Sequence, residues 1–484
     1  MTARWVAPGL IVANAVFDPL AAFDIDGKPQ PYLAERFEST SDYRSWTITL
    51  RPGVSFHNGQ TLDAEALMVF IAKMRQSPLV GPAFDPIDPD QPVTKIDDRT
   101  VRVNMRTPWA NYPAALTGQG GMVAAPEQLN NPDASWRADH PIGTGPFKLL
   151  QWNKGRSLVA EKNPTYWRSG LPYLDQIEFR PVVDNSARDT SLLDGSVDME
   201  FTTFNSSVRR LKDEAASGRV QLVRDDGPRE QLFLLANMDR PPLDDVRVRR
   251  AIAHAFNWEE YVRVTNEDPD IRSTNVFSKT SEWYVESDFP QFDPDAAREL
   301  VADYEAEKGP IAFTLKTTDN PENQSVGQAV AKMLTEVGMD VRAVSVDQAI
   351  YATQVVFGEY DLAYVRLFGA TDPDADYHWF TSKNAPLVGE GRVGLNVARM
   401  RDPQVDAALE RGRTSTDQAT RKQAYADFQR RLNELVPYIW ISESVKYVAA
   451  VPRVHDFVNQ TLPDGRPAMP VQQGVTRLTE TWLD

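Results

Sequence analysis

The apolar positions change period within the first hundred residues. Trp46, Ile48 and Leu50 alternate with polar neighbours up to Pro52-Gly53, and Val54 and Phe56 precede His57-Asn58-Gly59, so two short strands joined by tight turns are predicted. From Asp63 the spacing becomes helical: Leu67, Phe70, Ile71 and Met74 share one face, with Asp63 as the cap. Val101, Val103 and Met105 alternate again over 99–105. The pattern describes a small α+β unit.

Further on, Gly143-Thr144-Gly145 lacks both a third glycine and a following Gly-Lys-Ser/Thr, so it reads as a tight turn feeding a strand and not as a phosphate cradle. A helix is expected near 184–195. Another follows Pro241-Pro242-Leu243-Asp244-Asp245, with Val248, Ile252, Ala255 and Phe256 on its face. Asp293-Pro294 opens a helix through Leu300. A strand at 311–316, a helix at 323–337 stopped by Gly338, and a strand at 339–346 form a βαβ series, whose natural product is a parallel sheet with covering helices. Helices from Asp402-Pro403 and at 417–435 lead through Pro437 into a strand at Tyr438.

One stretch concentrates the candidate chemistry. The apolar strand Leu362, Ala363, Tyr364, Val365 ends in Gly369, and Asp372, Asp374, Asp376 and His378 follow among Phe368, Tyr377, Trp379 and Phe380. Strands of open α/β sheets discharge their chains at a crevice where ligands bind, so this stretch fits a recognising wall. The alternating acids invite a calcium reading. A calcium loop starting at Asp372 needs Gly at its sixth place and Glu at its twelfth, where the chain has Tyr377 and Lys383. Helix capping is the default role for Asp374 or Asp376, and no metal site is assigned.

Composition narrows the function. A chain of 484 residues with 42% hydrophobic content can bury a large core, and its length points to about three domain-sized units. A formal charge of −16 argues against nucleic acid or an anionic membrane surface as partner. With no Cys, disulfides and thiolate chemistry are excluded. No run approaches the length of a membrane helix, and MTARWVAPGLIVANAVFDPL lacks the charged, apolar and cleavage regions of a signal peptide. No HExxH, GxSxG or Walker motif occurs, so a hydrolase would have to assemble its carboxylates from distant residues.

Taken in order, PYLAERFESTSDYRSWTITLRPGVSFHNGQTLDAEAL, PIGTGPFKLLQWNKG, EKNPTYWRSGLPYLDQIEFRPVVDNSARDTSLLDGSVDM, PPLDDVRVRRAIAHAFN, FDPDAAREL and NVARMRDPQVDAAL resemble the extracytoplasmic solute-binding proteins, family 5, of peptide- and nickel-type ABC transporters. The resemblance covers nearly the whole chain. It implies a two-lobed periplasmic-binding-protein-like α/β fold (type II, cluster C) with an extra small α+β domain. Lobe I would hold 1–30, 142–240 and 447–484, the small domain 31–141, and lobe II 241–446, with hinge segments near 240 and 446. Solute would be enclosed on closure and handed to membrane permease subunits by a monomer that needs no cofactor and catalyses nothing. Family members begin with a signal peptide and a first strand. Here only Met1 to Val16 precede VFDPL, which implies a trimmed start or a missing strand, so a periplasmic or cell-surface location rests on the family.

The resemblance also nominates ligand-binding residues. Peptide binders carry an aspartate for the peptide amino group where this chain has Gly369, and Asp372 is the nearest carboxylate. Nickel-type members clamp a metal chelate with arginines in the segment that here reads LTGQGGM (116–122). Gly118, Gly120 and Gly121 leave room there for a bulkier ligand or for backbone N–H contacts. Trp5 and Trp283 stand at positions of pocket-facing aromatics, Phe368, Tyr377 and Trp379 could stack on a ligand, and Asn14, Asn205 and Asn396 are candidate amide contacts. A peptide-like or polar conjugated solute is the main expectation; a metal chelate is the alternative.

Overall fold

The computed structural model describes residues 7–77, 80–225, 227, 229–265, 268, 271–286, 288–370, 372–386, 394–472 and 474–484. The chain divides into two compact units, residues 1–227 with 446–484, and residues 228–445.

In the first unit the alternating segments at 45–50 and 99–105 form strands, but 54–56 does not: Ser55 makes only an isolated bridge to Thr61, and Ser45–Leu50 pairs with strands before and after it in the chain. Ala34–Ser39, Ser45–Leu50, Thr100–Asn104 and Val93–Lys95 form a four-stranded antiparallel sheet. The helix Ala64–Arg75 packs against it, and the Asp63 side chain accepts from Ala66 N at 2.9 Å as its cap. Leu67, Phe70, Ile71 and Met74 enter one core with Ile48, Leu50, Val101 and Val103. A three-stranded antiparallel meander follows, Phe147–Asn153, Ser157–Lys162 and Gln176–Phe179. The strand Tyr447–Ala450 returns from the far end of the chain to sit between Met199–Thr202 and Gln221–Arg224.

Among the described residues, the two longest helices of this unit that are absent from the periodicity reading are Ala7–Val16 and Asn205–Ala216. Ala7–Val16 is apolar nearly all round and shows no face, while in Asn205–Ala216 only Ser207, Val208 and Leu211 are buried. Gly143 and Gly145 lie against Val16, where a Cβ at either would come within 2.6 Å of a backbone atom of that residue. The GTG turn therefore serves close packing.

The second unit is built on a five-stranded sheet in the order Asp340–Val346, Ala312–Thr318, Leu362–Leu367, Glu230–Ala236, Tyr438–Ser444. Ala312–Thr318 runs parallel to both of its neighbours, whereas Glu230–Ala236 is antiparallel to both of its own. The helix Pro321–Thr335 makes the parallel crossover. It begins ahead of the expected 323 because the Asn320 side chain caps it, accepting from Glu322 N at 2.9 Å, with Pro321 in the first turn. Glu230–Ala236 lies within this sheet and so within the second unit. The antiparallel pairing of that strand is what makes the sheet mixed.

Candidate functional site

In the second unit the strand Leu362–Leu367 runs into a knot of aromatic and charged side chains. Phe368 leaves the strand with φ 72° and is buried. Its ring stacks on Phe233 at 5.2 Å, meets Phe380 at 4.6 Å and takes Tyr438 edge-on at 5.4 Å. Gly369 follows with φ 90°, and a Cβ there would stand 2.8 Å from the Arg229 carbonyl carbon and the Glu230 nitrogen. Left-handed backbone and close approach together require glycine.

The acids beyond it are engaged inside the unit. Both oxygens of Asp372 accept from Arg421 Nη2, at 2.6 and 2.8 Å, and Oδ1 also accepts from Asp374 N at 2.9 Å. Burial pushes the Asp372 carboxyl above its ordinary value, against the pull of Arg421. The Arg421 guanidinium lies 4.9 Å from the Trp283 ring, and that ring stands edge-on to Tyr425 at 5.4 Å. Asp374 pairs with Arg413, whose guanidinium lies 3.6 Å over the Tyr377 ring, and the Tyr377 hydroxyl donates to Glu410 at 2.5 Å. Asp376 accepts from Ala370 N at 3.2 Å. Asn396 is fully buried: its Nδ2 donates to the carbonyls of Phe380, Thr381 and Met400 at 3.1, 3.2 and 2.8 Å. Trp379 and His378 are buried beside each other. Among the described residues no three His, Asp or Glu side chains gather as a metal site.

The first unit carries a small cavity of about 30 Å³ lined from four separate parts of the chain. Leu10 and Asn14 come from the helix Ala7–Val16, Thr117, Gly118 and Met122 from the glycine-rich segment, and Met469, Gln472, Val475 and Arg477 from the C-terminal segment, with Phe23 beside them. Asn14 Nδ2 donates to the Leu10 carbonyl at 3.0 Å and the Thr117 hydroxyl to the Ala114 carbonyl at 2.8 Å, leaving their oxygens as acceptors. Space of that size holds about one or two waters. Such a space has room for at most one small group. Asp18 is buried nearby in the fold, accepting from Trp167 Nε1 at 2.8 Å and the Tyr166 hydroxyl at 3.2 Å. Burial pushes its carboxyl up to about 6.

The family model for Bacterial extracellular solute-binding proteins, family 5 Middle, matches residues 28–386. The chain belongs to that family. Its relatives include the glutathione-binding protein GsiB of Pectobacterium atrosepticum, 26% identical over 89% of this chain and 83% of that protein. Among solved structures, the binding protein AgaA in complex with agropinic acid from A. tumefaciens R10 superposes with a TM-score of 0.84 at 23% identity, covering 100% of this chain and 96% of that one. The oligopeptide-binding protein AppA of Bacillus subtilis, in complex with a nonapeptide, gives 0.84 at 19%, covering 99% and 95%. The fold is thus the α/β fold of the two-lobed periplasmic binding proteins of the family 5 type, and the protein is a solute-binding protein.

Within this family 5 chain the nominated residues fall into two groups. Trp283, Phe368, Gly369, Asp372, Tyr377, Trp379 and Asn396 are brought together in the second unit, where each has a packing or pairing role of its own. Asn14 and Gly118 are brought together at the first-unit cavity. Gly120 and Gly121 are buried against Phe84 and the Leu116 carbonyl, which leaves Gly118 as the glycine of that segment with open space over its Cα. Asn205 stands at the start of the helix Asn205–Ala216 and away from the cavity lining. Trp5 lies outside the described residues. Sequence reasoning missed Phe23, Met469, Gln472, Val475 and Arg477, because the C-terminal segment has no period and no motif to mark it.

Proposed function

We propose that this family 5 protein is the extracytoplasmic component of an ABC importer, carrying a small polar organic solute, peptide-like or conjugated, to membrane permease subunits as a monomer. The match of the family model over residues 28–386, within a fold shared along the whole chain, carries this reading. The chemistry of its relatives supports the solute class: glutathione, an opine and a peptide are all polar, amino-acid-derived molecules. No helix among the described residues is long and apolar enough to cross a membrane, so a permease would have to supply the passage. Asn14 and Gly118, among the nominated residues, line the first-unit cavity and have surface to offer a solute. The aromatic and acidic residues around Gly369 hold the second unit's wall in shape.

Thermal-shift screening of the full chain tests the reading. A solute bound by the folded protein alone raises stability by about 2.7 kcal/mol at a hundredfold excess over Kd. Di- and oligopeptides, glutathione, opines and metal–histidine chelates form the panel. A shift with a peptide-like or opine solute supports the reading, a shift with chelates alone favours the nickel-type alternative, and turnover of a chromogenic glycoside with no shift from any member overturns it.

A further inference from the structure

We propose that Arg477 is the anion-recognising residue of the solute site, receiving a carboxylate of the solute at the rim of the first-unit cavity; the proposal rests on the carrier reading above. Arg477 is half-buried and is the charged side chain among those lining the cavity. Its guanidinium lies 4.6 Å from the ring of Tyr32, a fully buried residue, so the planar group has a rigid support on one side. Among the described residues it donates no hydrogen bond and reaches no carboxylate. Other arginines of the same unit behave otherwise: Arg168 reaches Glu480 at 2.5 Å, Arg453 reaches Asp198 at 2.6 Å and Arg466 reaches Asp464 at 3.1 Å. Asp18 feels the charge of Arg477, yet its oxygens accept from Trp167 and Tyr166, with Thr144 at 3.4 Å.

A guanidinium presents five donors in a planar fork that matches a carboxylate in two parallel hydrogen bonds. Among the described residues all five are uncommitted, in a protein whose formal charge is −16 and in which arginines such as Arg168, Arg453 and Arg466 have found an acid. Leu10, Phe23, Met122, Met469 and Val475 give the lining an apolar part beside the polar side chains of Asn14, Thr117 and Gln472, and the Asn14 and Thr117 oxygens can accept from a neighbouring donor. The matching group is a carboxylate with a short apolar arm and an N–H or O–H beside it, as at the acid end of an amino acid, peptide or sugar-acid conjugate. Gly118 adds to this, since its open Cα lets a ligand approach the backbone on the same rim.

The test uses paired probes on the full chain: glutathione, Ala-Phe and agropinic acid as free acids, and the same three as carboxamides. Calorimetric titration of wild type is expected to show any free acid that binds doing so at least tenfold more tightly than its amide. Arg477→Gln is expected to remove that difference, and Arg477→Lys to retain part of it. As a readout independent of affinity, phenylglyoxal should label Arg477 faster than the paired Arg168, and the bound acid should protect it. Equal binding of acid and amide, or wild-type affinity in a folded Arg477→Gln, overturns the proposal and leaves the carrier reading standing. Acid binding without protection of Arg477 overturns it too. If no acid or amide binds and Arg477 labels no faster than Arg168, the proposal fails on its own evidence; the wider solute panel then decides separately on the carrier reading.

Discussion

Arg421 donates to both oxygens of Asp372, at 2.6 and 2.8 Å, and its guanidinium also faces the ring of Trp283 at 4.9 Å. Two residues nominated from the sequence as ligand contacts are thereby joined through a third that was not. The side chains of Arg421 and Asp372 are only 12% and 14% exposed, so each charge has little access to water as an alternative partner.

Removing one member of such a pair strands the other. Asp372→Ala is expected to destabilise the second unit by about 3 kcal/mol, and Asp372→Ala with Arg421→Met to recover a large part of the loss. Denaturant unfolding of the two single variants and the double variant measures the coupling. A loss of solute affinity with unchanged stability would instead make Asp372 a direct ligand contact.

Gly369→Ala tests the glycine by itself. The added Cβ must share space with Arg229 and Glu230 backbone at 2.8 Å while the residue keeps φ 90°. Strain of this kind costs about 1–3 kcal/mol. A lowered unfolding midpoint is expected, and Gly369→Asp, which restores the charge of peptide binders, should be at least as unstable. A variant as stable as wild type would show that the strand end can shift.

Asn396→Ala removes a donor shared by three buried carbonyls, those of Phe380, Thr381 and Met400. Leaving buried acceptors unsatisfied costs about 1–3 kcal/mol. The midpoint of unfolding should fall accordingly, and Asn396→Asp should do no better because it replaces the donor by a third-party negative charge. Wild-type stability in either variant would mean water takes over the three carbonyls.

The elements that were legible share a property: their signals are local. Asp63 with Leu67, Phe70, Ile71 and Met74, or Asn320 through Gly338, carry cap, face and stop within about twenty residues. What the side chains of the candidate site do is decided by partners far along the chain. Asp372 finds Arg421 49 residues on, and Phe368 finds Phe233 across an antiparallel strand that breaks the parallel pattern expected of the sheet. The cavity takes residues near 10, 117 and 477, and no period or spacing joins positions so distant. The Ala7–Val16 helix was hidden for the opposite reason, since a nearly uniform apolar segment has no period to read.

The last prediction concerns pH. Glu200 on the strand Met199–Thr202 and Asp189 on the helix Asn185–Leu193 are both buried in the first unit. The charges facing them are Arg188, 3.9 Å from Glu200, and Arg210, 4.0 Å from Asp189, and neither is within hydrogen-bond reach. Burial, and then the Asp189 carboxylate, push the Glu200 carboxyl up from 4.5 to about 8. The folded protein therefore holds a proton that the unfolded chain releases at lower pH. Stability from this group is fully present below about pH 4.5 and is lost as pH rises toward about 8. Glu200→Gln keeps the neutral form at every pH, and its amide can still donate to Asp189. The variant should match wild type near pH 5 and exceed it near pH 8 by about 2–4 kcal/mol, as read from denaturant midpoints across that range. Parallel stability profiles for the two proteins would show that Glu200 ionises freely in the fold, through water reaching its carboxylate.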